Sequence, residues 1–160
     1  MTMIPHNAPQ VTEEDIQSVV NTLRSGWIAQ GPQVERLQQS FKKLCGGGYS
    51  CAVSSGTSAL LLALKSLGAC ASTEVTVPSY SCSALLNAVF MAGSIPKVVD
   101  VNQDTFCIDS SLMEDIDTDI VIAVHAYGVR PDIAGLTVRG ARILEDCCQS
   151  IGGLNYKDDL

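Results

Sequence analysis

The sequence predicts an α/β fold, a three-layer α/β/α sandwich on a mostly parallel sheet, and two observations carry that reading. From Tyr49 onward, short apolar runs alternate with stretches of helical periodicity, the pattern of a parallel sheet covered on both faces. At 160 residues with 46% hydrophobic content, the chain is long enough to bury the core such a sheet needs.

The elements follow in order. Thr12 suits an N-cap for a helix whose apolar positions Ile16, Val19, Val20 and Leu23 keep helical spacing, and Gly26 ends it. Pro32 suits the first turn of a second helix with Val34, Leu37, Phe41 and Leu44 on one face, terminated at Gly46 to Gly48. Strands are expected at 49–53, 74–77, 97–101, 119–124 and 142–145, and helices at 57–67, 80–92 and 110–115. Gly128, Pro131, Gly135 and Gly140 mark 125–141 as loop with a short ill-defined segment. Residues 1–48 thus read as an N-terminal helical arm and 49–160 as the α/β domain.

Ten Lys and Arg against seventeen Asp and Glu give a net charge of −7. No basic run could neutralise a phosphate backbone, so nucleic acid is excluded as a partner. The start lacks a basic n-region and an apolar h-region, and the apolar stretch from Ala59 to Leu64 stops at Lys65. No membrane association and a cytoplasmic protein are therefore expected. Seven cysteines, an odd number without C-x-x-C spacing, read as reduced and mostly buried thiols. The vicinal pair Cys147 and Cys148 suggests no metal: adjacent side chains rarely converge on one ion, and no local His completes a set.

Two segments have the makings of a site. Ser54-Ser55-Gly56-Thr57-Ser58-Ala59-Leu60 leaves a strand and opens an apolar helix, where free N–H groups and hydroxyls can bind a phosphate. It is neither a Walker loop nor a G-x-G-x-x-G fingerprint, and ordinary helix capping reads equally well. Ile143-Leu144-Glu145-Asp146-Cys147-Cys148-Gln149 delivers a carboxylate at the C-terminal end of a strand, the edge where open α/β sheets bind ligands. That carboxylate could serve a protonated pyridine nitrogen, a ribose hydroxyl or a metal, or simply be exposed. His125 also ends a strand and is left without a role, as satisfying a loop carbonyl is the commoner use. Trp27, in a polar turn, suits packing or substrate contact.

Taken in order, Ser25-Gly-Trp-Ile with Gly31-Pro32, Ser54-Ser-Gly-Thr-Ser-Ala-Leu, Val77-Pro-Ser-Tyr with Asn87-Ala, Val99-Asp-Val, His125-Ala-Tyr-Gly, and Glu145-Asp with Gln149-Ser and Gly152 resemble the DegT/StrS-type nucleotide-sugar aminotransferases. The resemblance runs from about Ile4 to the end and implies the N-terminal portion of a pyridoxal-phosphate fold type I enzyme, with 49–160 an incomplete cofactor-binding large domain. It implies that Gly56, Thr57 and Ser58 hold the cofactor phosphate, that Asp146 faces the pyridine nitrogen, and that Gln149 bonds the phenolic oxygen. Trp27 becomes a substrate residue. Where many relatives stack an aromatic ring on the cofactor, this chain has Cys82, which offers less area.

The family's Schiff-base lysine lies on a later strand and loop, and Lys65 and Lys157 are not obvious substitutes. The resemblance therefore implies a nucleotide-linked keto sugar and an amino-acid donor for the complete enzyme, a homo-oligomer or a complementary C-terminal half as partner, and no turnover by this chain alone. A non-catalytic binding or interaction protein that keeps the fold is the alternative. An unrelated α/β nucleotide-binding domain would need a glycine fingerprint that is not there. In such enzymes 49–53 would pair with a last strand outside this chain, so it is expected to shift beside 142–145, pair with another chain, or stay unordered.

Overall fold

The structure is a computed structural model that describes residues 7–113, 116–137 and 140–151. The chain divides into two compact units, one up to Ala52 and one from Val53 onward. In the first, α1 (Glu13–Arg24) opens on a capping box. The Thr12 hydroxyl accepts from Asp15 N–H at 3.2 Å and the Asp15 carboxylate accepts from Thr12 N–H at 2.8 Å, satisfying two of the helix's orphan donors. Those bonds hold the Asp15 carboxyl below its ordinary range, the Thr12 N–H contributing most. Helix α2 (Pro32–Leu44) has Pro32 in its first turn, as expected. Between them Trp27 folds back so that its indole N–H donates to the Gln30 carbonyl at 3.0 Å. A Cβ at Gly31 would lie 1.9 Å from that indole nitrogen, so only glycine lets the ring close on the turn. No residue of α1 or α2 is buried, and Ile16, Val19, Leu23 and Leu37 are exposed.

The second unit contains α3 (Gly56–Ser66), β1 (Glu74–Pro78), α4 (Ala84–Met91), β2 (Ile95–Val99), β3 (Ile120–Val124), α5 (Ile133–Thr137) and β4 (Arg142–Asp146), with 3-10 turns at Ser110–Met113 and Ala126–Gly128. The four strands form one parallel sheet in the order β2-β1-β3-β4. β3 is buried at every position, as its unbroken run Ile120-Val-Ile-Ala-Val requires. Alternate residues feed two cores. Val75, Val77, Ile120, Ile122, Val124 and Leu144 pack under α3 and α4 with Leu60, Leu64, Leu85 and Val89. On the other face Val99, Val121, Ala123 and Ile143 pack with Ile108, Met113 and Leu136. Each fully buried aliphatic contributes roughly 1.5–3 kcal/mol, so both layers stabilise the sheet.

Helix direction follows from two tethers. The Arg142 guanidinium, at the start of β4, donates to the Leu67 carbonyl just past α3. Lys65 Nζ donates to Ala92 O, just past α4, at 2.6 Å. The C-terminal ends of α3 and α4 therefore lie at the amino edge of the sheet, and their N-terminal ends at the carboxyl edge.

Several expectations are corrected. Residues 49–53 form no strand and take up neither sheet edge; Ala52 N–H instead donates to Gln38 Oε1 at 2.9 Å. A strand exists only through its partner, and no described segment offers one. β2 lies two residues earlier than expected because Ile95 N–H already pairs with Thr73 O at 2.9 Å, while Asp100 turns the chain by accepting from Val101 N–H at 2.8 Å. α4 starts at Ala84 rather than 80, since Ser79 N–H is drawn to Val99 O at 2.7 Å and 79–82 remain a turn. The expected helix over 110–115 is described only as the turn to Met113, and 125–141 contains α5. The thiols are not mostly buried: Cys107 is, Cys147 is half-buried, and Cys45, Cys51, Cys70, Cys82 and Cys148 are exposed, because they sit in turns and at element ends.

Candidate active site

The carboxyl edge gathers most of the residues singled out from the sequence. A cleft of about 330 Å³ is lined by Ser79, Tyr80, Ser81, Cys82, Val124, Ala126, Tyr127 and Gln149. It sits where β1, β3 and β4 end, the ligand-binding edge of a parallel sheet. Cys82 and Gln149 thus share one wall system although 67 positions separate them in sequence.

β4 sends two carboxylates in opposite directions. Leu144 packs with the α3–α4 core and Ile143 with the other, so by strand alternation Asp146 belongs to the α3–α4 face and Glu145 to the opposite one. The Asp146 carboxylate accepts from Cys148 N–H at 3.1 Å. Burial first, then the hydrogen bond to Asp146 and its charge, with a smaller effect from Cys82, push the Cys148 thiol up to about 11. Asp146, Cys148 and Cys82 are therefore electrostatic neighbours. Gln149 Oε1 accepts from Tyr127 N–H at 2.8 Å, which leaves its amide NH2 as the group free to donate.

The serine-rich turn is a capped helix start. Ser55 Oγ accepts from Ser58 N–H at 3.1 Å and shares a hydrogen bond with Ser58 Oγ at 2.9 Å. The N–H groups of Gly56 and Thr57 lie in the first turn, ahead of any intrahelical acceptor. A Cβ on Gly56 would meet nothing within 4 Å, so the turn faces open space. Gly56, Thr57 and Ser58 share the carboxyl edge with Cys82, Asp146 and Gln149 but do not line the cleft. Trp27 belongs to the first unit and is exposed.

Sequence reasoning missed two features. Tyr80, Phe106 and Tyr127 form an aromatic cluster at the rim, with centroids 5.3, 6.4 and 5.7 Å apart and the two tyrosine hydroxyls hydrogen-bonded at 2.6 Å. Phe106 and Tyr127 both have positive φ, 58° and 52°, which a side chain tolerates only at a cost. The bond to Tyr80 raises the Tyr127 phenol above its ordinary value. The Pro-Ser-Tyr and His-Ala-Tyr-Gly segments carried a signal for the two tyrosines; nothing marked Phe106. The other omission is the surroundings of His125. It bonds no loop carbonyl through Nε2, which instead lies 2.9 Å from Glu145 Oε2 and 3.7 Å from Cys147 Sγ.

An open helix N-terminus, a strand-end carboxylate and a polar cleft at the carboxyl edge of a parallel sheet are the setting in which α/β proteins commonly bind small ligands. The comparisons give the chain a family. The profile of the DegT/DnrJ/EryC1/StrS aminotransferase family matches residues 9–159, and the chain belongs to that family. It is 33% identical over 153 residues to a 3-oxo-glucose-6-phosphate:glutamate aminotransferase of Bacillus subtilis, a match that covers 89% of this chain and 35% of the relative. The structure of ntda from Bacillus subtilis with bound cofactor PMP is similar at TM-score 0.81 and 33% identity, over 89% of this chain and 35% of that one. An E. coli GDP-4-keto-6-deoxy-D-mannose-3-dehydratase with bound hydrated PLP superposes at TM-score 0.84 and 26% identity, over 95% of this chain and 42% of that one. The chain thus spans roughly two fifths or less of the length of these relatives.

Proposed function

We propose that the chain forms the part of a pyridoxal-phosphate-dependent sugar aminotransferase that binds the cofactor phosphate and ring nitrogen. The observation that carries this is the convergence of Asp146, Gln149 and Cys82 at the carboxyl edge that also holds the open start of α3. The residues fit the group. An acceptor-only carboxylate suits a protonated pyridine nitrogen, a donor amide suits a phenolate, and two first-turn N–H groups with the Thr57 and Ser58 hydroxyls suit a phosphate.

When bound, the cofactor supplies an electron sink for carbanion chemistry at an amino-bearing carbon. The protein's part is positional and electrostatic. Asp146 holds the proton on the pyridine nitrogen, Gln149 donates from its NH2 while Tyr127 N–H fixes its oxygen, and Gly56, Thr57 and Ser58 anchor the phosphate. Cys82 gives the ring a polarizable contact of small area. In the complete enzyme the substrates are a nucleotide-linked keto sugar and an amino-acid donor. Among the described residues of the second unit, no lysine stands at the site to form a Schiff base. A binding protein that retains the fold is the second reading, favoured by the placement of Lys65 and Lys97, the described lysines of the second unit, away from the carboxyl edge.

Asp146→Ala tests the assignment. Loss of a charge-assisted hydrogen bond of roughly 1.5–3 kcal/mol should weaken pyridoxal phosphate binding some ten- to a hundredfold in a spectroscopic titration. Equal affinity in both proteins would remove Asp146 from the pocket.

The partner is a second copy or a complementary chain. Ile95 and Val98 are exposed on β2, the outer strand of the sheet, and α1 exposes Ile16, Val19 and Leu23, features that favour association. Light scattering should give a mass above that of one chain; a strict monomer at tens of micromolar concentration would exclude self-association.

A further inference from the structure

On the face of β4 opposite Asp146, three side chains of different elements converge. His125 follows β3, Glu145 lies in β4, and Cys147 stands just beyond it. We propose that His125, Glu145 and Cys147 form a binding site for a divalent transition-metal ion, with Zn2+ the ion best suited to an imidazole, carboxylate and thiolate set.

The geometry carries the assignment. One ligand atom from each residue lies within 4.8 Å of the other two, the sole such trio among the described residues. His125 Nε2 is 2.9 Å from Glu145 Oε2 and 3.7 Å from Cys147 Sγ. Around a tetrahedral zinc with bonds of about 2.0–2.3 Å, ligand atoms stand roughly 3.3–3.6 Å apart. The two His125 pairs are within a few tenths of an ångström of that spacing, and Glu145 and Cys147, within 4.8 Å of each other, close on the ion by side-chain rotation. Three protein ligands leave a fourth position for water, and the partly exposed Glu145 gives access from solvent.

The ligands are also held in place before any ion arrives. His125 is buried at 1% exposure and its backbone N–H donates to Asp146 O at 3.0 Å. The Cys147 carbonyl accepts from Ser150 N–H at 3.0 Å and from its hydroxyl at 3.4 Å. Binding at Nε2 places the imidazole proton on Nδ1, a buried atom with no hydrogen-bond partner. In the ion-free protein Nε2 donates to the acceptor-only Glu145 carboxylate at 2.9 Å, a bond the ion must displace, and nothing supports the proton once it has moved to Nδ1. Such support is typically worth ten- to a hundredfold in affinity, so this site should bind more weakly than a fully buttressed zinc site. Binding releases the thiol proton of Cys147 to solvent, and the thiolate then donates to the ion. Because Glu145 and Cys147 flank Asp146, the ion would pin the backbone on both sides of it, yet binding itself requires no cofactor.

The test is titration of the chelator-stripped full chain with Co2+, followed by the thiolate-to-cobalt charge-transfer absorption, and competition with Zn2+. The expected result is saturation at one equivalent, reversal by Zn2+, at least tenfold weaker binding in both Cys147→Ser and Glu145→Gln, and unchanged binding in Cys148→Ser. Circular dichroism confirms that the three variants are folded; all three positions are at least partly exposed, so none removes a core side chain. No saturable absorption, or the same affinity in Cys147→Ser as in the parent, would overturn the site. A loss confined to Cys148→Ser would overturn it as well.

Discussion

Purified chain incubated with pyridoxal phosphate and an amino donor is expected to yield no pyridoxamine phosphate above the protein-free rate. The reaction needs an amine at the carboxyl edge to form the Schiff base and relay the proton. The described lysines of the second unit are committed elsewhere. Lys65 Nζ donates to Ala92 O at 2.6 Å and Ala69 O at 3.4 Å, at the amino edge. Lys97 Nζ lies 2.5 Å from Glu74 Oε2 and donates to Asp117 O at 2.5 Å, also at that edge because Glu74 begins β1. Each is a strand length, roughly 15 Å, from Asp146. Lys42 and Lys43 belong to α2 in the first unit, and Lys157 lies outside the described residues. Turnover that exceeds the blank and disappears in Lys65→Ala or Lys97→Ala would show that one of them reaches the site after all. The Asp146→Ala titration separates this result from failure of the pocket: an inactive chain that binds cofactor through Asp146 is a cofactor module without its base.

Leu64→Ala should cost about 2–5 kcal/mol of stability, which for a domain with 5–15 kcal/mol in total is a large fraction. Leu64 is fully buried between α3, α4 and the sheet, touching the core that supports the start of α3. Truncation leaves a cavity that the flanking Leu60, Leu85 and Val89 can close only in part. Leu62, two residues away and 54% exposed, is the control; its truncation should stay within roughly 0.5 kcal/mol. Urea midpoints of the two variants measure the difference. Equal midpoints would show that α3 does not dock on the sheet as described.

The continuous apolar run Ile120 to Val124 and the alternation around it were enough to specify a parallel α/β sheet, because a strand buried on both faces has to be apolar throughout. Helix starts were readable for local reasons too: Thr12 and Ser55 cap helices through bonds to residues three positions away, and Pro32 suits a first turn whose N–H needs no partner. Element ends were less so. β2 and α4 are displaced because Thr73 O and Val99 O, distant in sequence, accept from Ile95 N–H and Ser79 N–H. Residues 49–53 have the composition of a strand but no strand to pair with among the described residues, and pairing is a property of two segments rather than one.

The site divides along the same line. Asp146 at a strand end and Gly56 to Ser58 at a helix start were legible, since backbone geometry alone places them at a sheet edge. That Glu145 faces the other way, and that its side chain meets His125 and Cys147, depends on β3 and β4 lying side by side in register, Val124 beside Asp146. Cys147 is 22 positions from His125, and no spacing rule spans that distance. The sequence by itself determined the layers and the chemistry of each segment, because these follow from periodicity and local hydrogen bonding. Which side chains meet was decided only by tertiary structure, because strand order and register set the distances between residues far apart in the chain.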